Sequence, residues 1–159
     1  MNILHDDIFG ELSYDYGWSR IYKIDFFGDE RQVELFFPCD EGESIELSQR
    51  RAYIKFNEFK DHYMSLAEEA IFNYYRGSVD EFRDRFGPEF ADEMAPLIDG
   101  KLGMKEIVKP TQIIIQQTFG SEDRVVGIIY DCSWDPQFGL AVKFKNEVIC
   151  EVGHQNIVL

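Results

Sequence analysis

No stretch of this sequence stays uncharged and apolar for the roughly 18 residues that would span a bilayer. Its first ten residues, MNILHDDIFG, carry acids where an export signal carries lysine or arginine. Cysteine is scarce: Cys39, Cys132 and Cys150 are odd in number and lack C-x-x-C spacing, which argues against both a disulfide framework and a structural zinc site. These absences together point to an unexported, cytoplasmic chain. Positive charge is also in short supply, with 16 basic residues against 30 acids and a net charge of −14. Nucleic acid and anionic membranes reward positive surface, so neither is expected as a direct partner. Missing too are G-x-S-x-G, the P-loop, the dinucleotide fingerprint and H-E-x-x-H. The expectation is a protein that is not an enzyme and that holds no cofactor and no metal.

What is present suits a folded domain. With 159 residues, 45% hydrophobic and 15% aromatic, the chain has enough to bury for one core, and residues 1–159 are read as one domain. The acid excess is uneven: residues 1–50 hold 12 acids and 4 bases, residues 51–100 hold 11 and 6, and residues 101–159 hold 7 and 6. Such a field solubilises a protein, and it also speeds encounter with a basic partner by about 10 to 1000-fold.

The first forty residues read as strands. Leu12, Tyr14, Tyr16, Trp18, Tyr22, Ile24 and Phe26 follow a period of two, and FFGDERQVELFF places Gly28-Asp29 between two alternating runs, a hairpin. An acidic loop, Asp40 to Glu46, follows Pro38. From Ser48 the period changes to three and four through Ala52, Phe56, Phe59, Tyr63, Leu66, Ala67, Ala70, Ile71 and Tyr74, which predicts a helix of about 28 residues running to Arg76 and closed by Gly77. Arg51 stands three residues after Ser48, so no capping box is expected there. Residues 78–99 suggest one or two short helices broken at Gly87-Pro88, and 100–110 a connector. TQIIIQQTF, RVVGIIYDC, GLAVKFK and EVICEVG then predict a four-strand antiparallel meander with a tight turn at Lys145-Asn146. In GLAVKFK, Leu140, Val142 and Phe144 face a core and Ala141, Lys143 and Lys145 face water. The fold class expected is α+β: antiparallel sheet from N-terminal hairpins and a C-terminal meander, packed on one long helix and one or two short ones.

Few residues suggest chemistry. His5-Asp6-Asp7 resembles a metal site in composition, yet adjacent residues on a strand point to opposite faces. Cys132 with His154 is the one thiol and base pair that neighbouring strands could unite, although Cys132 alternates with Tyr130, Ile128 and Val126 on an apolar face. DCSWDPQFGLAV is dense in functional residue types, but Asp135-Pro136 and Gly139 read as a hairpin connection. In that reading Trp134 folds over the end of the sheet and Asp135 accepts hydrogen bonds from its own turn.

The helix entered as LSQRRAYIKFNEF and ending AIFNYYRG, then VKPTQIIIQ, then DCSWDPQFGLAVKFKNEVICEVGHQNIVL, resembles a family of small uncharacterised bacterial domains. Its members end in C-x-W-D-x-x-x-G-L-[GA]-V, a strand and a closing E-V-G. The likeness covers residues 45–159, with Pro136-Gln137-Phe138 standing where many members place an acid and a histidine. It implies a place among the immunity proteins that accompany polymorphic and contact-dependent inhibition toxins, and no catalytic residue is carried over. The function expected is an acidic immunity protein that covers the active-site cleft of a cognate toxin C-terminal domain, a basic nuclease. The residues expected at the interface are Asp40, Glu41, Glu43 and Glu46, with Asp29, Glu30 and Glu34, and with Phe36 and Phe37 as aromatic anchors. The alternatives are a small hydrolase using Cys132 and His154 or a metal at His5, and a housekeeping interaction module.

Overall fold

A computed structural model describes residues 2–159. Eight strands form one sheet whose spatial order follows the chain: β1 (Ile3–Asp6), β2 (Gly10–Tyr14), β3 (Gly17–Phe26), β4 (Asp29–Pro38), β5 (Val108–Ile115), β6 (Val125–Cys132), β7 (Leu140–Lys145) and β8 (Val148–Gly153). Every neighbouring pair is antiparallel except β4 and β5, which run parallel with Phe36 opposite Ile114. A parallel pair needs a long crossover, and this one contains both helices, α1 (Leu47–Glu58) and α2 (Lys60–Met94), with a short 3-10 turn at Lys101–Glu106. The expected N-terminal hairpins and C-terminal meander are thus the two halves of a single α+β sheet.

Alternation decides which face meets the helices. Tyr22, Ile24 and Phe26 of β3, Val33, Leu35 and Phe37 of β4, and Val126, Ile128 and Tyr130 of β6 are all buried in one apolar cluster with Phe56, Tyr63, Ile71 and Tyr75 of the helices. The opposite face is covered over its C-terminal half only. There Val158, after a 3-10 turn at Gln155–Ile157, packs on Ile114, Ile129 and Ala141. Ala141 is therefore buried, not wet as its alternation suggests. Gly127 makes room for this strap: a Cβ at that position would stand 2.6 Å from the Cβ of Val158.

Two helix boundaries differ from expectation. The long helix breaks at Phe59, whose backbone leaves helical geometry (φ −117°, ψ 27°) and whose ring turns outward. The break lets α1 lie on β5 and β6 while α2 lies on β3, β7 and β8. Helix α2 then runs through Gly77 instead of ending there. A mid-helix glycine costs about 1 kcal/mol relative to alanine, less than the burial gained by continuing the stripe from Tyr75 to Phe82. The true interruption is Gly87 (φ 76°, ψ 172°), followed by Pro88, as the sequence suggests. Two hairpin turns sit one residue from their expected places: Phe27-Gly28, and Asn146-Glu147, each with both residues at positive φ.

Candidate functional site

The residues expected to form an interface do not form one patch. Strand β4 is ten residues long, so its ends lie about 30 Å apart. Asp29 and Glu30 are at one end, at the tip of the β3–β4 hairpin. Asp29 is committed there: Lys105 Nζ sits 2.6 Å from its Oδ2 and holds its carboxyl below the usual range. Glu34 lies in mid-strand on the uncovered face and accepts a hydrogen bond from Gln112 Nε2 at 2.6 Å. Phe36 is half-buried on that face beside Ile114 and Ile129. Phe37 is 0% exposed, in van der Waals reach of Phe9 and Tyr53 within the core. It is not available as an anchor. The signal was in the sequence, since Val33, Leu35 and Phe37 share one side of a strand.

The other end of β4 gathers what remains. Because β4 and β5 are parallel, both finish at the same end of the sheet, where the β2–β3 turn and the start of β6 also lie. Three loops therefore stand side by side: Asp15-Tyr16, then Cys39 to Glu46, then Gln116 to Arg124. Tyr14 Oη donates to Cys39 O at 2.8 Å and ties the first loop to the second. Glu46 ties the second to the third, its carboxylate accepting the N–H of Thr118 (2.8 Å) and of Phe119 (3.0 Å). Glu46 is thus a structural tether and not a free interface acid.

Beneath these loops lies Gln49, buried in the first turn of α1. Its Oε1 accepts the N–H of Glu46 at 2.8 Å, and its Nε2 donates to Pro38 O (2.8 Å) and Ile115 O (3.0 Å). One side chain joins the helix start to the ends of both parallel strands. This is the glutamine half of a capping box, two residues earlier than the Ser48–Arg51 spacing.

Asp40, Glu41 and Glu43 are exposed on the middle loop, and none forms an ion pair among the described residues. Two aromatic residues that alternation placed in strand runs, Tyr16 and Phe119, stand instead on the loops to either side. Tyr16 is 90% exposed and Phe119 is 80% exposed. Both occupy positive φ (62° and 53°) immediately before a glycine, the one local sign by which the sequence marks them.

The residues considered for catalysis are placed differently. Cys132 belongs to the apolar cluster, and burial pushes its thiol up to about 12. Its Sγ faces Asp135 O at 3.7 Å, while His154 Nε2 meets Asp135 Oδ2 at 3.3 Å, so each engages Asp135 instead of the other. Asp135 also accepts the N–H of Phe138 at 3.1 Å, as the sequence suggests for this hairpin, while Trp134 is buried against Tyr75 and Phe82 of α2. At the N-terminus His5 is exposed beside Glu11. Asp6 is held by Arg50 and by the N–H groups of Ile8 and Phe9. Among the described residues no helix is long and apolar enough to cross a membrane.

A family model described as a domain of unknown function, DUF6985, matches residues 8–159. No curated protein and no solved structure matches the chain.

Proposed function

We propose that this chain, which belongs to the DUF6985 family of domains of unknown function, is an acidic immunity-type binding protein that neutralises a cognate bacterial toxin domain by covering its basic active-site cleft. The observation that carries the reading is the middle loop of the sheet end, where Asp40, Glu41 and Glu43 are exposed and free of internal cations. Some acids elsewhere are spent on the fold, as Asp6 is on Arg50, Asp29 on Lys105 and Glu147 on Arg124. A nuclease cleft is built to hold phosphates, and carboxylates presented on a fixed loop occupy the same positions. Such a complex associates quickly at low salt and more slowly as salt screens the field.

The test is binding of the full chain to the purified C-terminal domain of the protein encoded immediately upstream, at two salt concentrations. The triple charge reversal Asp40→Lys, Glu41→Lys, Glu43→Lys is expected to weaken binding by about 100-fold or more, since each close charge pair is worth roughly 1.5 kcal/mol or above. It is also expected to flatten the salt dependence. Unchanged affinity and salt dependence would refute the interface.

A further inference from the structure

We infer that Tyr16 and Phe119 are paired aromatic anchors on which a basic protein partner seats across this end of the sheet. The inference rests on the binding function proposed above and names the groups that hold the complex together once charge has brought it in. Large aromatic rings left 90% and 80% exposed lose apolar burial that the chain otherwise achieves for most of its aromatics.

The same chain shows that the local geometry does not force this exposure. Phe27 has the same construction, an aromatic at positive φ (49°) directly before a glycine, and its ring folds inward to 9% exposure against Phe26. Tyr16 and Phe119 instead are exposed on the loops either side of the one that carries Asp40, Glu41 and Glu43.

Their placement is fixed before any partner arrives. Gly17, next to Tyr16, pairs with Pro38, and Phe36 pairs with Ile114, so the three loops leave the sheet at nearly one level. Strand spacing puts the two aromatic loops about 10–15 Å apart, well within a standard interface of about 800 Å² per partner. Tyr14, Glu46 and Gln49 lock the loops through the hydrogen bonds already described, which lowers the ordering cost of binding. Aromatic rings bordering free carboxylates fit a protein face in which lysine and arginine surround two apolar recesses. Tyr16 also offers its ring face to such a cation.

The experiment compares Tyr16→Asn and Phe119→Asn with the wild type, because asparagine tolerates positive φ and removes only the ring. Binding to the purified C-terminal domain encoded immediately upstream is measured by calorimetry at two salt concentrations, and thermal unfolding is measured without partner. Each variant is expected to bind at least tenfold more weakly with unchanged salt dependence, and to melt at or above the wild-type temperature. Wild-type affinity in both variants, while the loop charge reversal still weakens binding, overturns the anchors and leaves the acidic interface standing. A lowered melting temperature assigns the rings to the fold and overturns the anchors as well. No binding by the wild type overturns both readings.

Discussion

The guanidinium of Arg50 forks onto the carboxylate of Asp6, Nη1 to Oδ1 at 3.1 Å and Nη2 to Oδ2 at 2.9 Å, and fastens the first hairpin to the start of α1. That hydrogen-bonded contact, with the N–H groups of Phe9 and Ile8, lowers the Asp6 carboxyl from 3.8 to about 2. The folded value lies below the unfolded one, so the stabilisation is fully present above about pH 4 and is lost as pH falls toward 2. Asp6→Asn is expected to lose roughly 1 to 2 kcal/mol at pH 7, allowing for solvent around Arg50. Urea denaturation of both proteins should show the gap closing by about pH 2; a gap of constant size would refute the pairing.

Gln49 makes a second prediction. Gln49→Leu keeps the side-chain volume but leaves Pro38 O, Ile115 O and the N–H of Glu46 without their partner. The expected cost is about 2–4 kcal/mol. Amide exchange should rise across residues 39–46 and 116–121 before it rises in β6 or β7, because the lost bonds join those loops to the sheet. Uniform exchange throughout the chain would instead mean that Gln49 serves the core in general.

The three cysteines differ in access, with Cys39 and Cys132 buried and Cys150 exposed on the last strand. Burial raises both interior thiols, Cys132 to about 12, so neither forms thiolate readily near neutral pH. Titration with a thiol reagent at pH 8 should consume one thiol per native chain and three after denaturation. Fast native reaction at Cys132, identified by mass spectrometry and abolished in Cys132→Ala, would reopen the hydrolase alternative.

Periodicity carried much of the fold in the sequence, because burial on a strand or helix is a local property. Val126, Ile128, Tyr130 and Cys132 could be placed on one face from their alternation, and Asp135 could be read as the cap of its own turn. What escaped reading was set by contacts distant in the chain. The helix break at Phe59 follows from packing α1 and α2 on different strands. Glu46 reads as one more acid of an acidic loop until Thr118 and Phe119 are brought beside it, seventy-odd residues away. The candidate site was legible in its charge, through Asp40, Glu41 and Glu43, and illegible in its aromatics. Nothing local distinguishes Phe119, which stays outside, from Phe27, which turns in.

The parallel join of β4 and β5 also bears on how the chain reaches its structure. Hairpin β3–β4 and the meander β5–β8 pair strands that are neighbours in the chain, whereas Glu34 meets Gln112 across 78 residues that include both helices. Closing so long a segment costs entropy before any ladder bond forms, and non-local pairings of this kind slow folding. Each half-sheet is built from pairings between neighbours in the chain, and the edge each leaves open, at β4 and at β5, is satisfied only by the other.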